Sequence, residues 1–267
     1  MKLLILSVEE QPEIERLKEE AKKSGHGVEV KSPEKSTERV LPSFTHVLVR
    51  AVKGAGEAAK EIAMKARSLG LRVVDERLAT GKGFNKAAIY SILKKKGFSV
   101  PETIAFEEKN FPAIKKFQGK EVIIKDVKGK RGQDVFKVNK TELEVFYQRL
   151  DKSKKYLAQE FLRIDKELRV LVVGTKVVGG FSKQSSNWKK NIAAGATPVK
   201  EQLSVEIKNA SVKAASITKT EIAGIDLALV GGKIFVLEVN RAPGFIGFEK
   251  ATGKNAAKEI IQYVASK

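Results

Sequence analysis

Asp226, Glu238 and Asn240 carry oxygen atoms, and the stretch around them constrains how they face. Residues 224–240, GIDLALVGGKIFVLEVN, read as two strands around a glycine pair. The odd positions Ile225, Leu227, Leu229, Phe235, Leu237 and Val239 are large and apolar, so they share one buried face of a β-hairpin. Odd must then face odd. A two-residue Gly231-Gly232 turn breaks that rule. A three-residue loop, Gly231-Gly232-Lys233, keeps it and sets Asp226 opposite Glu238, with Asn240 further along the same face. Two carboxylates and an amide oxygen are hard ligands that suit Mg²⁺, which takes the rest of its shell from phosphates and water. Taken singly, each is equally an ordinary polar residue at a strand end.

A second stretch, EVIIKDVKGKRGQDVFKV at 121–138, reads as strand, loop and strand. Lys125 lies inside an apolar strand, where an ammonium is costly unless it meets an anion. The loop Lys128-Gly129-Lys130-Arg131-Gly132 can bring backbone N–H groups and positive charge close to phosphate. The GxxxxGK[ST] string of a Walker loop is absent. An exposed hairpin turn with solvated lysines reads equally well from this loop alone.

Composition narrows the chemistry. The 267 residues contain no cysteine, which removes disulfides, thiol nucleophiles and thiolate metal sites. His26 and His46 are the only histidines, too few for a histidine zinc site, and both read as surface or structural. Net charge is +19, concentrated in residues 101–200. Such a field attracts nucleotides, acidic peptides, nucleic acid or the ribosome, or is simply a lysine-rich solvated surface. No apolar run reaches the length of a membrane span, and MKLLILSVEEQ is too short for a signal peptide. These features predict a soluble cytoplasmic protein without a membrane partner.

The elements that must position these residues follow from periodicity. Strands at 2–8, 27–31, 45–50 and 71–75 alternate with helices at 10–24 and 56–69, which predicts a small doubly wound α/β domain. A helix at 84–96 closes at Gly97. Strands at 121–127 and 135–138 lie between helices at 111–118 and 140–150. Strands at 156–162, 167–173 and 176–181 precede a helix at 200–217, the hairpin, and a last helix near 255–266.

Together these features resemble the ATP-grasp superfamily, and within it the RimK-like amino-acid ligases. The resemblance is carried by Lys125 with its glycine loop, by Gln159-Glu160-Phe161-Leu162 as an adenine hinge, and by Glu167 before Leu168-Arg169. It is carried further by the Asp…Glu-x-Asn set and by APGFIGFEKATG at 242–253. It implies an α/β (α+β) ATP-grasp fold in three parts: a pre-ATP-grasp domain at 1–80, a central subdomain at 81–155 and a C-terminal subdomain at 156–267. It implies nucleotide contacts from Lys86, Lys125, Gly129, Arg131, Gly132, Gln159, Glu160, Phe161, Leu162 and Glu167, and from Lys189, Lys190 and Asn191, where the family has Arg-Ser-Asn. Lys125, Lys189 and Arg169 are the implied catalytic cations. Asp226, Glu238 and Asn240 are the implied ligands of Mg²⁺, with Mn²⁺ as an alternative. Three departures stand out: Asp134 in place of a third loop glycine, Lys183 in place of an arginine, and Arg241 in place of a small residue.

The resemblance implies ATP-driven amide formation through an acyl-phosphate, with ADP and phosphate as products. The substrates would be an amino acid such as glutamate and an acidic peptide, protein or cofactor acceptor. The alternative expectation is a catalytically weak ATP-grasp protein that binds nucleic acid, the ribosome or another polyanion through its basic surface. A third, weaker one is a kinase that stops after phosphoryl transfer.

Overall fold

The computed structural model describes residues 1–36, 38–52, 54–82, 86–127, 129, 134–184 and 197–267, with Lys86 described in its backbone only. Four parallel strands open the chain: β1 (Lys2–Leu6), β2 (Gly27–Lys31), β3 (His46–Val49) and β4 (Arg72–Val74), in the order β2-β1-β3-β4. Helices α1 (Pro12–Lys23) and α2 (Gly56–Ser68) supply the crossovers, and the short α3 (Glu76–Ala79) follows β4. The run KLLIL is buried on both sides after its first residue, as a central parallel strand requires. Leu4 and Leu6 pack on the alanine face of α2, at Ala59, Ala63 and Ala66. Leu3 and Ile5 face the other way and share a core with α1 and with the C-terminal helices described below.

α4 (Lys86–Lys95) leads to a second sheet. Its strands β5 (Thr103–Ala105), β6 (Glu121–Asp126), β7 (Val135–Asn139) and β8 (Tyr156–Glu160) are antiparallel in the order β5-β8-β6-β7. Helices α5 (Phe111–Lys115) and α6 (Leu143–Arg149) cover it, and Tyr147 meets Phe106 and Phe111 edge to face. β8 pairs with β5 and β6, so the central sheet runs on to Glu160. α4 goes the other way: Ile89 and Leu93 pack with the third sheet.

That third sheet is antiparallel in the order β11-β10-β9-β12-β13, from β9 (Lys166–Val173), β10 (Lys176–Gln184), β11 (Thr197–Lys200), β12 (Ile222–Val230) and β13 (Lys233–Asn240). Between β11 and β12 lies α7 (Val205–Ile217); α8 (Ile246–Thr252) and α9 (Ala256–Ala265) end the chain. The helix expected from residue 200 starts five residues later. Ser204 caps it by accepting the Ile207 N–H, and Lys200 pairs in β11 instead. β9 shows why both faces of this sheet are covered. Leu168, Val170 and Val172 meet α4 and α7, while Leu171 and Val173 meet the core shared with β1 and α9. No helix among the described residues is long and apolar enough to cross a membrane.

Candidate active site

The hairpin β12–β13 reaches the expected pairing by a different route. Its turn is the two-residue Gly231-Gly232, with Val230 opposite Lys233 and both glycines at positive φ. The three-residue loop expected from the alternation does not form. The register instead shifts by one between Leu227, which faces Val236, and Asp226, which faces Glu238. Leu237 is the extra residue of a β-bulge, and the bulge restores the pairing that brings the carboxylates together. Val236, not Leu237, therefore fills the core. Gly224 pairs with Asn240, and a Cβ at 224 would stand 2.7 Å from Pro243, so only glycine lets the chain fold back there.

Asp226 is buried and pairs on its other side with Arg169 of β9. Arg169 donates from Nε to Oδ1 at 2.8 Å and from Nη2 to Oδ2 at 2.6 Å, a bidentate pair. Lys183 Nζ donates to the same Oδ1 at 3.0 Å and to Glu167 Oε1 at 2.6 Å. Asn240 Nδ2 donates to Oδ2 at 3.2 Å. Burial alone would push the Asp226 carboxyl up, but Arg169 and Lys183 overcome it and hold it well below the usual carboxylate range. Burial opposes the Arg169 charge, and Asp226 more than offsets that, so its guanidinium is held above its ordinary value. Glu167 is raised, chiefly by burial, with Lys183 pulling the other way.

Lys125 lies on the facing sheet. Its Nζ donates to Tyr90 Oη at 2.6 Å and to Gln159 Oε1 at 2.9 Å, and Gln159 Nε2 donates to Thr103 Oγ1 at 2.9 Å. Burial lowers the lysine to about 8, against a raising effect of Glu238. Glu238 raises Arg169 as well, so one carboxylate acts on a cation of each sheet. Of the expected hinge, Gln159 is buried in this network and Glu160 closes β8 by donating its N–H to Glu102 O at 2.8 Å. Phe161 lies under the Lys137 ammonium at 5.1 Å, and Leu162 is half-buried. Gly129 donates its N–H to Asp126 O at 3.2 Å. Lys86 opens α4. Arg131, Gly132, Lys189, Lys190 and Asn191 lie outside the described residues.

The departures have local explanations. Asp134 sits at φ 52°, the left-handed region where glycine is cheapest, and accepts from Lys154 Nζ at 2.9 Å. Arg241 pairs with Asp75 at the end of β4, and buried Arg50, at the end of β3, donates from Nη2 to Pro243 O at 2.8 Å. The N-terminal sheet thereby clamps the segment that leaves Asn240. Tyr90 joins the site without a motif to announce it: the apolar spacing of α4 places it in the core, and its hydroxyl, which seeks a partner when buried, is the signal the sequence carries.

The oxygen donors fit a divalent cation in kind: Asp226 and Glu238 are paired neighbours and Asn240 touches Asp226. Asp226 already accepts four hydrogen bonds from Arg169, Lys183 and Asn240, so it would join a metal by exchanging one of them.

The RimK-like ATP-grasp domain model matches residues 84–264, more than half of the chain. This chain belongs to the RimK-like ATP-grasp family. Among relatives of this ATP-grasp chain is a probable alpha-L-glutamate ligase of Legionella pneumophila strain Corby, 27% identical over 274 residues, covering 94% of this chain and 91% of the relative. The ATP-grasp ligase PsnB, complexed with a minimal precursor, superposes with a TM-score of 0.78 at 17% identity, covering 100% of this chain and 99% of that one. An ATP-grasp RimK domain protein from Sphaerobacter thermophilus DSM 20745 gives 0.73 at 19% identity, with 99% of each chain covered. The mixed helix-and-sheet fold of the RimK-like chain is thus that of ATP-grasp ligases.

Proposed function

We propose that the chain is an ATP-dependent carboxylate–amine ligase that adds an amino acid, glutamate first among candidates, to an acidic acceptor. The observation that carries this reading is the facing of two prepared surfaces: Lys125 on the central sheet, and Asp226, Glu238 and Asn240 on the C-terminal one, in a chain of this family. In the reaction the γ-phosphoryl passes to a substrate carboxylate, giving an acyl-phosphate and ADP. An amine then attacks the acyl carbon, the amide C–N bond forms, and phosphate leaves. Lys125 supplies fixed positive charge at the transferring phosphates. Arg169 and Lys183 keep Asp226 ionised and oriented, and Lys183 holds Glu167 in place. Mg²⁺ held by Asp226, Glu238 and Asn240 would neutralise charge on the phosphates. The basic middle of the chain favours acidic acceptors. The structure of PsnB with a precursor peptide supports a peptide acceptor, and the probable glutamate-ligase relative supports glutamate as the amino acid.

The test is ADP release with Mg-ATP, a panel of amino acids and acidic peptides, beside an Asp226→Ala/Glu238→Ala chain. Turnover that needs both substrates and vanishes in the double variant is expected. The saturated state of Asp226 favours a second reading, a polyanion-binding protein. Salt-dependent nucleic-acid binding with no turnover for any substrate pair would establish that reading instead.

A further inference from the structure

Tyr90 is 5% exposed on α4, a helix that leads into the central subdomain yet packs on the C-terminal sheet. Its hydroxyl donates to Leu237 O at 2.7 Å and accepts from Lys125 Nζ at 2.6 Å, and the Lys125 ammonium also lies 4.7 Å from the centre of its ring. Leu237 is the extra residue of the β13 bulge, without a partner in the β12 register, and the next residue is Glu238. β13 is an edge strand, and Ser99 O accepts from Val236 N on that same open edge at 2.9 Å. One phenol thus bonds the bulge that aims Glu238 and the lysine of the opposite sheet.

We infer that Tyr90 is a positioning residue of the nucleotide site, fixing Lys125 and the Leu237 bulge to each other so that the lysine and Glu238 meet one ligand. The inference rests on the ligase reading for the presence of nucleotide in this cleft. Its chemistry is that of a relay between two surfaces. Removing the hydroxyl leaves the ring packed and the helix intact, but takes an acceptor from a half-buried ammonium and a donor from a backbone carbonyl. Tyr90 therefore acts through Lys125, and its effect on the nucleotide disappears when Lys125 carries no charge.

Calorimetric titration of ADP with Mg²⁺ into the full chain, Tyr90→Phe, Lys125→Met and the double variant tests this. Tyr90→Phe is expected to weaken ADP binding about tenfold, the effect of one hydrogen bond to a charged group. The double variant is expected to bind as Lys125→Met does, within about twofold, because coupled residues are non-additive. ADP affinity unchanged in Tyr90→Phe, or a double-variant loss equal to the product of the single losses, overturns the inference. Nucleotide binding that follows this pattern in a chain that ligates nothing would end the ligase reading and leave the role of Tyr90 standing. No ADP binding by the unaltered chain would overturn both.

Discussion

Two half-buried cations, Arg169 on the C-terminal sheet and Lys125 on the central one, are treated in opposite ways. Arg169 meets Asp226 in a bidentate pair and is held more firmly charged than in water. Lys125 bonds to a phenol and an amide oxygen, both neutral, and burial lowers it to about 8. The C-terminal surface is a finished electrostatic network. The central surface carries a charge that its hydrogen-bond partners do not neutralise, at the place where an anionic nucleotide would enter. Stability and ligand binding should therefore separate between the two sheets.

The largest effect is expected at Asp226. Asp226→Ala leaves Arg169 and Lys183 without their shared carboxylate in a buried setting and should cost about 3–5 kcal/mol in denaturant unfolding. A loss under about 1 kcal/mol would mean that the two cations reach solvent freely and that the network is not closed. Lys125→Met should act in the opposite direction. It removes an ammonium held at a desolvation cost, and a gain on the order of 1–3 kcal/mol at pH 7 is expected, together with loss of nucleotide affinity. Destabilisation of the same size would end the contrast.

The pH dependence of that difference carries a definite sign. Lys125 binds its proton less tightly in the folded chain, at about 8, than at the ordinary lysine value of 10.5. Between these values the unfolded chain holds more protons, so folding stability rises with pH. The gap between the unaltered chain and Lys125→Met is complete below pH 8 and should close as pH approaches 10.5. A gap that stays constant over this window would show that desolvation of the ammonium is not its source.

Much of this contrast was legible in the residues, and the parts that were not have physical reasons. Lys125 showed itself as a charge inside the apolar run EVIIKDV. Asp226 and Glu238 were placed opposite each other from alternation alone, and they do pair. Strict alternation has no room for a bulge and so requires a longer turn for that register. The molecule keeps the tight glycine turn and absorbs the mismatch at Leu237 instead. Tyr90 stayed hidden because helical spacing reports burial and not what a buried hydroxyl bonds. The sheet to which β8 belongs was hidden for a similar reason: YLAQE is an apolar strand to either sheet, and only pairing assigns it. The saturation of Asp226 by Arg169 and Lys183 is likewise a matter of three strands in register, which no single stretch displays.

The smallest expected effect separates the two acids that share Lys183. Glu167→Gln keeps a polar group beside the lysine and leaves the Lys183–Asp226 contact at 3.0 Å in place, so a loss of about 1 kcal/mol or less is expected. The acids should nevertheless give opposite slopes. Asp226 is depressed, so its contribution is complete above the ordinary aspartate range and is lost as pH falls through and below it; Asp226→Asn should flatten that acid limb. Glu167 is raised by burial, so stability falls as pH climbs from the ordinary glutamate value to its own, and Glu167→Gln should remove that decline. Unfolding measured from about pH 3 to 7 in both variants reads the two slopes side by side. If both acids flatten the same limb, Lys183 serves them as one site, and the network is a single titrating unit rather than a strong pair with a weaker neighbour.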